Sequence, residues 1–214
     1  MRKILLYALL ICSVAFYASG MNTAILGGAG EGGGDPCASC NSGTDANVAG
    51  VLETATTSFN IAAHCNTEAN DVGAQSFTIA GTRCITGYTF VVNDQAGSPT
   101  ADFNIQIYTD SSGPSSPVAD TLATINMSAI VAYGNKEVLL AATQELAAGN
   151  YWMVFWAGAT GTLDGSNYIR LYSDPAGTGA YYQDPSDGCP PSSSNWTAIA
   201  GDEVFMIEVL GCTP

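Results

Sequence analysis

Charge is scarce in this chain. Asp, Glu, Lys and Arg make up 11% of its 214 residues, against about 25% in ordinary globular domains. Positive charge is scarcer still: five bases stand against 19 acids, for a formal net charge of −14. Nucleic-acid binding through phosphate neutralisation needs clustered Lys and Arg, so that class is excluded. Attraction to anionic membrane surfaces falls on the same ground. There is one histidine, His64, which leaves little material for acid–base chemistry near neutral pH. No Gly-x-Ser-x-Gly elbow is present, and a Ser or Cys nucleophile would have only His64 as its base. Among 19 acids, carboxylate pairs arise by accident, so they carry no argument for glycoside hydrolysis. The expectation is a protein that is not an enzyme. Long apolar runs are missing too. Residues 4–16 form a short one, below the roughly 20 residues a membrane span requires.

That short run belongs to residues 1–20, which read as a secretory signal. Arg2 and Lys3 precede it, and Ala18 and Gly20 are the small residues of a cleavage site. Cleavage is expected after Gly20, with Ala24 as the rival position. Removing this leader leaves three bases against 19 acids, a net −16. The mature chain is then expected to be secreted, extracellular or at a cell surface, with the periplasm as a variant, and without membrane insertion. It holds six cysteines: Cys37, Cys40, Cys65, Cys84, Cys189 and Cys212. An even number in an exported chain implies disulfides. Six cysteines allow 15 connectivities. If residues 196–199 and 203–210 form a hairpin, Cys212 returns to the loop of Cys189, and that pair is favoured. Cys37, Cys40, His64 and Cys65 could in principle offer four zinc ligands. The adjacent His and Cys are poorly spaced for it, and an oxidising compartment favours disulfides.

Residues 21–50 are rich in Gly, Ala and Asn, including the run 27–34, and read as a flexible arm or linker. From residue 51 to 214, short apolar runs are broken by Gly, Pro, Asn, Asp and Ser, the pattern of an all-β domain. Phe103, Ile105 and Ile107 alternate with Asn104, Gln106 and Tyr108; Phe205, Ile207 and Val209 alternate with Met206 and Glu208. Such alternation suits antiparallel strands with one face on a core and one in water. Residues 151–156 and 88–92 are apolar on both faces and read as central strands, or strands with an aromatic outer face. Turn signals fall at 110–114, 149–150, 164–165, 174–175 and 187–188. About eight to ten strands result, in an antiparallel, disulfide-stapled sandwich. Residues 138–148 have helix-favouring composition, but a strand followed by a turn is preferred because Gly149 opens the next strand.

The order of motifs from Ala74 onward resembles a known family. The stretches are 74–79, 85–92, 103–110 with Gly113-Pro114, Leu122-Ala123, 146–152, 167–170, 180–182, Trp196 and 202–205. They are similar to secreted bacterial jelly-roll β-sandwich modules of the galactose-binding-like and carbohydrate-binding kind, over about two-thirds of the chain. The resemblance implies a jelly-roll sandwich more strongly than it implies an activity. It also implies calcium where the first and last strands meet, with Asn70, Asp71, Asp202 and Glu203 as ligands. Calcium is a hard cation that takes such loop oxygens. The added cysteines and the insertion at 185–194 depart from the family pattern.

Sugar rings stack on exposed aromatic faces while neighbouring polar groups meet the hydroxyls. Tyr168, Arg170 and Tyr172 share one strand face by their spacing of two, and Tyr181, Tyr182 and Trp196 flank the 184–195 loop. These six are the candidate ligand-binding residues, and the bland alternative is cross-strand packing with Arg170 paired to an acid. The expected function is a secreted binding module for glycans or a cell-surface polysaccharide. The alternative is self-association, as a structural or assembly subunit of a filament, coat or matrix whose N-terminal arm adds a strand to a neighbour. Asn126 and Asn195 lie in glycosylation-type triplets.

Overall fold

The computed structural model describes residues 36–40, 47–50, 57–65, 72–130, 133–174, 180–183, 188–191, 196–198 and 204–214. Fourteen strands lie in them: β1 Asn47–Gly50, β2 Thr57–Ile61, β3 Val72–Ile79, β4 Arg83–Ala96, β5 Asp102–Asp110, β6 Pro114–Pro117 and β7 Ala123–Asn126, followed by β8 Gly134–Leu146, β9 Gly149–Ala157, β10 Tyr168–Asp174, β11 Ala180–Gln183, β12 Trp196–Ala198, β13 Val204–Phe205 and β14 Ile207–Cys212. Eight of them run five residues or more, and the others are short edge or corner pieces. Helix among the described residues is confined to one 3-10 turn, Met127–Ala129.

The strands form two antiparallel sheets. The first has the order β1-β14-β4-β10-β13, with β2 added on β10 and β8 on β4; the second has the order β12-β11-β3-β9-β5-β6, with β7 added on β5. Strands β3, β4, β5, β8, β9, β10 and β11 lie alternately in the two sheets. This all-β architecture is compatible with a jelly-roll-like arrangement. Met206 joins β13 to β14: its N–H donates to Tyr172 O and its carbonyl accepts from Val91 N. One residue thus carries the chain from β10 across to β4.

The alternating side chains explain the packing. Phe103, Ile105 and Ile107 of β5, Met153 and Phe155 of β9, Phe90 of β4 and Phe205 of β13 fill the space between the sheets. Phe155 and Phe205 meet edge-to-face at 4.6 Å, and Phe59 meets Phe205 at 5.1 Å, the geometry that ring quadrupoles favour. Gly73 is required here, because a Cβ at this position would lie 2.0 Å from the Phe155 ring. Residues 138–148 fall largely in β8, whose Val138, Leu140 and Leu146 turn inward. Burial on β4 outweighs their helix propensity.

Two expectations are corrected. Residues 196–199 and 203–210 do not form a hairpin: β12 pairs with β11 in the second sheet, and β14 pairs with β4 and β1 in the first. Because the chain changes sheet between them, the two strands are separated by the core. The pairing Cys189–Cys212 fails for the same reason. The disulfides are Cys37–Cys84, Cys40–Cys212 and Cys65–Cys189. The first two fasten the 36–40 turn, within the segment read as an arm, to β4 and β14. A third finding concerns Tyr108, on the face of β5 expected to meet water. It is fully buried in a second apolar cluster with Cys65, Val72, Ala74, Trp152, Val154 and Trp156, against which Trp196 packs. Its hydroxyl donates to Pro191 O at 3.1 Å, and burial pushes its pKa up to about 12. The outer face of the second sheet therefore carries a buried apolar cluster, which the Cys65–Cys189 bond joins to the segment of Pro191.

Candidate functional site

β10 runs between β2 and β4 in the first sheet. Its Ile169, Leu171 and Ser173 are buried. By the two-residue period of a strand, Tyr168, Arg170 and Tyr172 project from the opposite face, each half-buried. Arg170 lies opposite Asn60 of β2 on one side and Asp94 of β4 on the other. The three make a polar row across three strands.

Every part of the guanidinium has a role. Nε donates to Asn60 Oδ1 at 2.9 Å, one terminal nitrogen donates to Tyr168 Oη at 2.7 Å, and the other lies 3.6 Å from Asp94 Oδ2. The guanidinium carbon also stands 5.0 Å from the Tyr168 ring centre, a cation–π distance. The Arg170 and Asp94 side chains are 35% and 38% exposed. An ion pair this wet contributes about 0–1 kcal/mol, so its effect is to orient Arg170 more than to hold the fold.

Asp94 reaches this face through a β-bulge. Arg170 registers with Asp94, yet Leu171 registers with Val92, so Asn93 is an extra residue on β4. Val92 is buried in the core. By simple alternation Asp94 would point inward as well, and the bulge turns it outward. Reading the sequence alone missed Asp94 and Asn60. The one available signal was an acid two residues past the apolar run 88–92.

The six candidate ligand-binding residues do not form a single site. Tyr168, Arg170 and Tyr172 belong to the first sheet. Tyr181 and Tyr182 register with Ala74 and Gly73 in the second sheet, and Trp196 registers with Gln183 there. Trp196 is half-buried against the Trp152–Trp156 cluster, so it serves packing. The proposed calcium ligands Asn70, Asp71, Asp202 and Glu203 lie outside the described residues. Among the described residues, Gln75 of β3 accepts a bond from Phe205 N of β13 at 3.1 Å through its side-chain oxygen. The earlier zinc quartet is dispersed. Cys65 bonds Cys189 on the second sheet, His64 Nδ1 meets Gly158 O at 2.6 Å, and Cys37 and Cys40 bond elsewhere. Asn126 is exposed, and its Nδ2 donates to Thr100 O and Asp102 Oδ1; Asn195 lies outside the described residues.

Two acids elsewhere show how local partners set charge. Trp152 Nε1 donates to Asp110 at 3.0 Å and Gly113 N–H at 3.1 Å, which together hold the Asp110 carboxyl below its ordinary range. Glu208 of β14 is held above its range by partial burial.

No family model matches this chain, and no curated protein matches it. Among the described residues no helix is long and apolar enough to cross a membrane. Three disulfides are the mark of an oxidising compartment.

Proposed function

We propose that this is a secreted, non-catalytic binding module that holds a glycan or cell-surface polysaccharide on the outer face of its first sheet, around Tyr168, Arg170 and Tyr172. One observation carries the reading. A guanidinium, one of three cations outside the leader, is fixed on an outward sheet face by Asn60, Asp94 and Tyr168. Planar donors and a carboxylate suit sugar hydroxyls, and a neighbouring ring suits the apolar face of a sugar. Arg170 already lies over Tyr168, so Tyr172 is the stacking residue in this reading. The galactose-binding-like identity of the sandwich and a bacterial source belong to the same proposal, as does calcium at Asn70, Asp71, Asp202 and Glu203.

The assembly reading rests on β1, an edge strand contributed by the N-terminal segment. The disulfides from Cys37 and Cys40 tie that segment to β4 and β14 of its own chain. Strand exchange is then left to residues 21–36.

A glycan array probed with residues 21–214, in calcium and again in EDTA, tests the proposal. The expected result is binding to one sugar class, lost at least tenfold in Tyr172→Ala and in Asp94→Ala with thermal unfolding unchanged. Loss in EDTA assigns calcium a part, and retention removes it. A blank array from folded protein overturns the glycan reading.

A further inference from the structure

We propose that Cys37, Cys40, Cys84 and Cys212, when reduced, form a four-thiolate site for Zn2+. Cys37 and Cys40 lie on one turn, closed by Cys40 N–H donating to Cys37 O at 3.0 Å. Cys84 and Cys212 face each other in register on β4 and β14. The Cα atoms are 5.4 Å apart in Cys37–Cys84 and 5.9 Å apart in Cys40–Cys212. The sulfurs of Cys40, Cys84 and Cys212 all lie within 4.8 Å of one another, and Cys37 is bonded to Cys84. All four sulfurs therefore meet at one place, on two strand ends and one turn.

That arrangement matches what zinc requires. A tetrahedral ion with Zn–S of about 2.3 Å sets its sulfurs roughly 3.8 Å apart, so Cys40, Cys84 and Cys212, within 4.8 Å of one another, close by at most about 1 Å, while the two sulfurs of each broken disulfide move apart. A Cys-x-x-Cys turn with two further cysteines is a common way of supplying four thiolates. Cys37 and Cys84 are buried, while Cys40 and Cys212 are half-buried, giving a closed floor and an open side for entry. Cys65 belongs to the outer cluster of the other sheet and is bonded to Cys189, and this pair serves as the internal control. Reducing the two disulfides consumes four electrons and four protons, supplied by a phosphine or dithiol reductant. Zinc then displaces the protons of the thiols it binds. The same four sulfurs thus have two states: a metal clamp in the reduced chain and two cross-links in the oxidised one.

The test uses the phosphine-reduced chain with Co2+ as a spectroscopic probe, followed by Zn2+. One Co2+ per chain is expected, with the charge-transfer and ligand-field bands of a tetrahedral thiolate site, displaced by one equivalent of Zn2+. Cys84→Ser loses these bands, and Cys65→Ser combined with Cys189→Ser keeps them. A second measurement needs no variant: Zn2+ shields Cys37, Cys40, Cys84 and Cys212 from alkylation and leaves Cys65 and Cys189 reactive, as mapped by mass spectrometry. Absence of the bands from the reduced wild-type chain overturns the proposal. So does shielding of none of the four, or of all six alike.

Discussion

Asn93 decides where Asp94 points, and through Asp94 how Arg170 is held. This is a residue-scale effect that no composition or period reveals, because one inserted residue reverses the parity of the strand after it. Glu208 is a second residue whose setting matters more than its type. It sits on the outer side of β14, opposite Thr89 of β4, and partial burial raises its carboxyl above the ordinary value of about 4.5. A raised carboxyl favours the folded state when protonated. That contribution is complete below the unfolded pKa and is lost as pH rises through the folded one. At neutral pH the ionised group is therefore a cost. Glu208→Gln should raise the urea midpoint at pH 7, with the gain shrinking towards zero at pH 3. An unchanged or lower midpoint at pH 7 contradicts this account.

At the scale of elements, part of the second sheet is buried on both faces. Strand β9 sends Met153 and Phe155 into the space between the sheets, and Trp152, Val154 and Trp156 outward. Pro191 is buried against the outer cluster, its carbonyl accepting from Tyr108, and Cys65 of the cluster is bonded to Cys189. Replacing both cysteines by Ser should lower stability by about 2–5 kcal/mol and expose the tryptophans. Equilibrium unfolding checks the first effect; red-shifted tryptophan emission with new binding of an apolar dye checks the second. Unshifted emission would mean that packing alone keeps the tryptophans buried. Asp110, which accepts from Trp152, marks the polar rim of the same cluster.

At the scale of the molecule, net charge and cross-links oppose each other. A charge of −14 repels itself in the folded state, whereas the disulfides span 47, 124 and 172 residues of sequence. Long closed loops restrict the unfolded chain most, so the cross-links let a self-repelling surface persist. Screening should then stabilise the protein. Raising sodium chloride from about 10 mM to about 150 mM shortens the Debye length from about 30 Å to about 8 Å. The thermal midpoint followed by circular dichroism should rise; a fall would show that attractive pairs such as Arg170–Asp94 dominate.

What could be read from the amino acids alone was what depends on local periods and on counts. The alternation at 103–107 and 205–209, the turn signals and the six cysteines sufficed for an all-β, disulfide-stapled sandwich, and for Tyr168, Arg170 and Tyr172 on one strand face. What depends on distant partners was not legible. The strand order placed Trp196 in the second sheet and β14 in the first, which separated Cys189 from Cys212 and divided the six aromatic-site residues between two sheets. The bulge at Asn93 brought Asp94 to Arg170. A strand's period is written in its own residues, but its neighbours are chosen by burial across the whole core, and only the folded chain expresses that choice.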